Sequence, residues 1–255
     1  MVFTDTHTHL YYETQADKRT ALMQRCLDSN VSRLFLPNVD AASLPLMFDL
    51  LAAYPDNCYA MLGLHPCSVK EDWEHELSLI VASLHKYPLY AVGEIGIDLY
   101  WDKTFLTEQI QAFKLQIDWA KSMKMPIVIH CRDAFDEVYQ VLQDSKDENL
   151  RGIFHCFTGT LEQANKITEM GFYLGIGGVV TYKNGGLDKI LPQIDLKHVV
   201  LETDSPYLTP VPYRGKPNES SYLTYVAQKV AELYQVSIEE VAAITTQNSK
   251  TIFGV

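Results

Sequence analysis

Leu89-Tyr90-Ala91-Val92-Gly93-Glu94 and, one helix later, Pro126-Ile127-Val128-Ile129-His130 are the stretches whose reading decides the fold. Each is a short apolar run that stops at a residue with a polar, ionisable side chain. Between them Leu106, Ile110, Phe113, Ile117 and Ala120 recur at helical spacing and form one apolar face. That helix has to stop before Met125-Pro126, because proline pushes the residue ahead of it out of the helical region. Strand, amphipathic helix, strand is the unit from which α/β folds are built.

The unit repeats outward in both directions. Upstream lie an apolar run at Met1-Val2-Phe3-Thr4, a helical stretch over 16–30, a buried strand at Arg33-Leu34-Phe35-Leu36, a helix over 44–54, and a third strand over 58–64 ending in Gly63-Leu64-His65-Pro66. A helix near 77–85 leads back to Leu89. Downstream, Gly152-Ile153-Phe154-His155 reads as the sixth strand. Thr160-Leu161-Glu162-Gln163 has the form of a capping box that opens a helix, which Gly171 can close. Residues 172–176 and His198-Val199-Val200-Leu201-Glu202 supply the seventh and eighth strands, and the tail is helical. Eight strands, each followed by a helix, in 255 residues predict a (β/α)8 TIM barrel spanning residues 1–255 as a single domain. A doubly wound open sheet is the alternative, but it would not bring the first, middle and last strands together.

Barrel active sites gather where the strands end. Those ends carry His7 and His9 (within Asp5-Thr6-His7-Thr8-His9), His65, Glu94, His130, His155 and Asp204. In an extended chain His7 and His9 project to one side, as two ligands of one divalent ion must. Singly, each has a plain reading as a hydrogen-bonded core residue or a helix cap. Together they would fill a barrel mouth with polar groups that need partners. Cys131 and Cys156 follow two of the histidines, but strand alternation turns them toward the outer helices, as buried apolar residues.

Composition narrows the function classes. With 47% apolar and 21% charged residues the chain reads as globular, and it has no apolar run of membrane-spanning length. Met1 leads straight into the first expected strand with no signal-peptide pattern, so the cytoplasm is the expected location. Five cysteines without a CxxC spacing fit reduced thiols there. A net charge of −11 argues against a protein that coats nucleic acid, though not against an enzyme whose ions and a few arginines handle phosphate locally. Nothing in the sequence implies an obligate protein partner.

The strings DTHTHL from Asp5, GLHP from Gly63, GEIGID from Gly93, IHCRD from Ile129, FHCFTG from Phe154 and LETDSPYLTP from Leu201, continued by RGKPNE from Arg214, resemble the TatD family of metal-dependent deoxyribonucleases in the amidohydrolase superfamily. The resemblance implies that His7, His9 and Asp204 hold one divalent ion and His130 and His155 a second, with Glu94 bridging the two. It implies Mg or Mn for activity, whereas histidine-rich ligation also suits Zn. DNA, single-stranded and trimmed from its 3′ end, is the implied substrate. Asp204 is then the expected proton acceptor, and Arg132 and Arg214 the candidates for holding phosphate. His65 is expected near the scissile phosphate as a hydrogen-bond donor or acid, or has a structural role. Tyr100, Trp101 and Tyr207 either stack on bases or pack their loops. The rival functions are a small-molecule amidohydrolase acting on an ester, amide or phosphoester and, more remotely, a non-enzymatic metal-binding module.

Overall fold

The computed structural model describes all of residues 1–255. Eight parallel strands follow one another around the sheet in chain order: β1 (Phe3–Asp5), β2 (Val31–Pro37), β3 (Cys58–Leu62), β4 (Leu89–Asp98), β5 (Ile127–Arg132), β6 (Gly152–Phe154), β7 (Tyr173–Ile176) and β8 (Val199–Leu201). The seam between β8 and β1 closes just beyond their ends. There the Thr6 N–H donates to the Leu201 carbonyl at 3.0 Å and the Asp204 N–H to the His7 carbonyl at 2.9 Å. Asp5, fully buried, accepts the Thr203 N–H at 2.9 Å and the Thr203 hydroxyl at 2.6 Å. The architecture is the expected TIM barrel.

The crossovers are α1 (Ala16–Asp28), α2 (Leu44–Ala53), α3 (Trp73–Val81), α4 (Leu106–Met123), α5 (Phe135–Asp144), α6 (Leu161–Glu169) and α7 (Leu187–Ile190), with α8 (Leu223–Tyr234) and α9 (Ile238–Phe253) after the last strand. The capping box forms as expected: the Gln163 N–H donates to Thr160 Oγ1, and the Thr160 N–H donates to Gln163 Oε1. One crossover departs from the expected pattern. Between β7 and β8 the helix is a single turn flanked by 3-10 turns, because Gly177-Gly178, Gly185-Gly186 and Pro192 interrupt any longer helix.

Inside the barrel, Phe35, Met61, Ala91, Val128, Ile153 and Val200 pack as one buried layer. Ile252 and Phe253 at the end of α9 join it, and the Phe253 ring stacks on Phe35 at 3.8 Å. The Thr246 hydroxyl of α9 donates to the Val2 carbonyl, so the helix closes the end at which the strands begin. With apolar side chains filling that end, the next residues on the same faces stand at the open mouth. His130 and His155 lie two positions beyond Val128 and Ile153, and the alternation of a strand puts them there.

Gly96 in β4 keeps that mouth narrow. Its φ is +142°, and a methyl group on it would collide with the His130 carbonyl oxygen across the β4–β5 pair. Gly96→Ala is therefore expected to cost about 3 kcal/mol or more. The check is the midpoint of urea unfolding, and an unchanged midpoint would show that β4 and β5 part without penalty.

Candidate metal centre

His7 and His9 lie past the end of β1 rather than on it, but Thr8 bridges Ser205 in a parallel fashion and keeps the backbone extended. The alternation thus survives, and both imidazoles turn inward. His7 Nε2 is 3.3 Å from His9 Nε2, 3.2 Å from Glu94 Oε2 and 3.8 Å from Asp204 Oδ1. His9 Nε2 is 3.8 Å from Glu94 Oε2 and 3.5 Å from Asp204 Oδ1. Four donors held tetrahedrally at about 2.0–2.1 Å from a zinc-sized ion stand roughly 3.3 Å apart. These five spacings fit such an ion with little adjustment.

The other oxygen of Glu94 faces a second set of donors. Oε1 is 2.8 Å from His130 Nδ1, 3.2 Å from His155 Nε2 and 3.5 Å from His65 Nε2. One buried carboxylate thus presents one oxygen to each set. Burial pulls the Glu94 carboxyl upward, but the fields of His65, His155 and His7 and the hydrogen bond from His130 outweigh it and hold the group well below the usual carboxylate range. Glu94 is ionised at neutral pH, as a ligand must be.

Outer partners orient the rings. The Tyr11 hydroxyl donates to the Pro37 carbonyl at 2.7 Å and so accepts the Nδ1–H of His9 at 2.8 Å, leaving the His9 Nε2 lone pair free. His130 Nε2 lies 2.8 Å from Asp98 Oδ2, and Asp98 Oδ1 takes the Tyr100 and Trp101 N–H groups. Burial raises the Asp98 carboxyl, yet the His130 hydrogen bond prevails and brings it to about 2. His155 Nδ1 faces Glu202 Oε1 at 2.9 Å. Against the cost of burial, Glu202 and then Glu94 push the His155 imidazole well above its ordinary range. Sequence reasoning gave Asp98, Glu202 and Tyr11 no role. For Asp98 a signal was present: Glu94, Gly96 and Asp98 alternate on one face, but the expected strand stopped at Glu94, whereas β4 continues to Asp98.

His65 joins the second set with a different character. Its Nδ1 accepts the Cys67 N–H at 3.0 Å, so the neutral ring carries its proton on Nε2, the atom aimed at Glu94 and, at 3.2 Å, at His130 Nδ1. The ring offers a hydrogen there, where a ligand needs a lone pair. Arg132 is exposed in the wall of the same cavity, of about 450 Å³, with its guanidinium 3.7 Å over the Tyr100 ring. Arg214 is not brought to this cavity; it stacks 3.8 Å over Tyr182 in the loop after β7. The two cysteines are half-buried. Cys131 packs against the outer core as alternation requires, and burial raises its thiol to about 12. Cys156 lies beyond the end of β6 at φ +47°, where alternation no longer applies, and it borders a smaller pocket next to His130 and Asp204.

A family model described as "TatD related DNase" matches residues 4–254. The chain is 38% identical over 252 residues to an uncharacterized metal-dependent hydrolase of Bacillus subtilis, YabD, covering 98% of each. It is 31% identical over 245 residues to a protein of Pantoea vagans named 3′-5′ ssDNA/RNA exonuclease TatD, covering 93% of this chain and 94% of that one. Among solved structures, the TatD homologue YjjV of Escherichia coli superposes with a TM-score of 0.92 at 28% identity, covering 99% of this chain and 98% of that one. No helix is long and apolar enough to cross a membrane.

Proposed function

Because the chain belongs to the TatD family of metal-dependent hydrolases, we propose that it is a deoxyribonuclease, acting from the 3′ end of single-stranded DNA with two divalent ions. The observation that carries the two-ion reading is the division of Glu94, with Oε2 against His7 and His9, which Asp204 also faces, and Oε1 against His130 and His155. The name of the Pantoea relative supports the substrate class.

Divalent ions in this position lower the pKa of water and neutralise charge on phosphoryl oxygens. The chain's own residues do the rest. His7, His9 and Asp204 would hold one ion and His130 and His155 the other, with Glu94 shared by both sets. Asp204, whose side chain is 15% exposed while those of His7, His9 and Glu94 are buried, takes the proton released by the attacking water. His65 donates its Nε2–H to an oxygen of the scissile phosphate. Arg132, exposed in the cavity wall with one guanidinium face stacked on Tyr100, holds a flanking phosphate through its paired N–H groups.

The test is protein stripped with EDTA and reloaded with Mn, Mg or Zn, assayed on labelled single-stranded DNA, duplex DNA, RNA and a small ester. Two ions per chain by elemental analysis, loss of activity in EDTA and shortening of single strands from the 3′ end are expected. Full activity in EDTA would exclude the ions from the reaction, and turnover of the ester without any of nucleic acid would favour the amidohydrolase alternative. Arg132→Ala is expected to raise KM for an oligonucleotide roughly tenfold and to lower the log–log salt slope by about 1, since one phosphate contact is lost. The same substitution at Arg214, which does not line the cavity, should have the smaller effect. A larger one would move the phosphate track to the loop after β8.

A further inference from the structure

The cavity over the metal centre has an aromatic rim. Five aromatic side chains in the protein are exposed: Tyr12, Tyr100, Trp101, Tyr207 and Tyr225. Four of these stand on the loops that follow β1, β4 and β8, and Tyr12, Trp101 and Tyr207 line the cavity itself. Trp101 is 71% exposed and Tyr207 54%, so much of each ring is open to solvent even though Trp101 meets Tyr100 edge-on at 4.9 Å. Exposed apolar groups gathered in one place mark a binding surface more often than scattered ones do. Strands β4 and β8 are four places apart in an eight-stranded ring, so Trp101 and Tyr207 face the cavity from opposite sides.

We infer that Trp101 and Tyr207 form a stacking site for the nucleobase of the nucleotide whose phosphate lies on the metal centre. The inference rests on the nuclease reading above and adds to it that the enzyme grips the base as well as the backbone. The cavity has histidine and carboxylate donors at its floor, a guanidinium in its wall and flat rings at its edge. A group with a phosphate at one end and a planar ring at the other matches that order. Stacking is indifferent to base identity, because every base presents a π-face. The rim therefore contributes affinity without sequence preference. Tyr100 is not part of the site, because it does not line the cavity and the Arg132 guanidinium covers one of its faces at 3.7 Å, against 5.5 Å for Trp101.

The protein carries a direct reporter. Of its three tryptophans, Trp73 is buried and Trp119 is half-buried on α4, so a change on binding at the rim is read from Trp101. In EDTA, the full chain is titrated with a single-stranded thymidine hexamer and with the same hexamer lacking only its 3′-terminal base. The intact hexamer is expected to quench the emission, and the abasic one to bind roughly 5- to 160-fold more weakly, the range for loss of one stacked base. With Mn loaded, the ratio of kcat/KM between the two oligonucleotides should shift the same way. That ratio should fall toward one in Trp101→Ala and be kept in Trp101→Phe, with Tyr207→Ala between them. Equal cleavage of both oligonucleotides, with emission unmoved by either, overturns the stacking site and leaves the nuclease reading standing. Cleavage of neither overturns the nuclease reading, and the site falls with it.

Discussion

Asp204→Asn is expected to lower kcat by roughly 10²- to 10⁴-fold, the usual worth of a positioned general base. The substitution keeps the size of the side chain and one oxygen that can face His7 and His9, so the fold and the approach of substrate should survive. What it removes is the negative charge and the capacity to take a proton. Burial would raise the Asp204 carboxyl, but the hydrogen bond with His9 and the fields of His155 and His7 more than offset it and keep the group below its ordinary value. A carboxylate held ionised at neutral pH, with its side chain still reachable from the cavity, is poised to accept rather than donate. The decisive measurement is single-turnover cleavage with saturating ion, which separates a lost base from a weakened ligand. A rate near that of the unmodified protein would remove Asp204 from the proton path.

Glu94→Ala should have the second large effect, and in a different observable. Both donor sets share this residue, so the ion count should fall for both. Loss of a single electrostatic stabiliser costs about 10²–10³ in rate, and loss of a shared one should cost at least that much. His155→Ala should weaken only the second set. Glu202→Gln, which touches His155 from behind, should reduce affinity at that set by roughly 10- to 100-fold, as outer partners of ligating histidines do. Inductively coupled plasma analysis after gel filtration orders the three variants. If Glu94→Ala retains two ions per chain, the bridging role is wrong.

How much of this could be read beforehand varies with the kind of information. The βαβ unit around Leu89 and His130 was legible because apolar runs and helical spacing are local signals. So was the convergence of His7, His9, Glu94, His130, His155 and Asp204, because a parallel barrel turns strand ends into neighbours. Strand length was less legible. The Gly96-Ile97-Asp98 extension contains a glycine that ordinarily weakens a strand, and only its contact with the His130 carbonyl explains why it stays in one. Glu202 was invisible as a partner of His155, since which way a side chain points across the barrel depends on its neighbours. The room it occupies exists because residue 175 is glycine: a side chain there would overlap the Glu202 carboxylate. The placing of Arg214 against Tyr182, away from the cavity, is a long-range packing outcome of the kind that no spacing rule encodes.

The seam between β8 and β1 has a consequence for how the protein is made and kept. Asp5 and Thr203 are 198 positions apart, and the first donor set draws on residues from both sides of that join. A nascent chain therefore has no such set until residue 204 has left the ribosome and the barrel has shut. Long-range closure of this kind is the slow part of folding. Once shut, an ion held by His7, His9 and Asp204, as proposed, would act as a clasp across the two ends, adding about 2.7 kcal/mol when free ion stands at 100 times its dissociation constant. Metal supply would then set the lifetime of the folded chain as well as its rate of turnover.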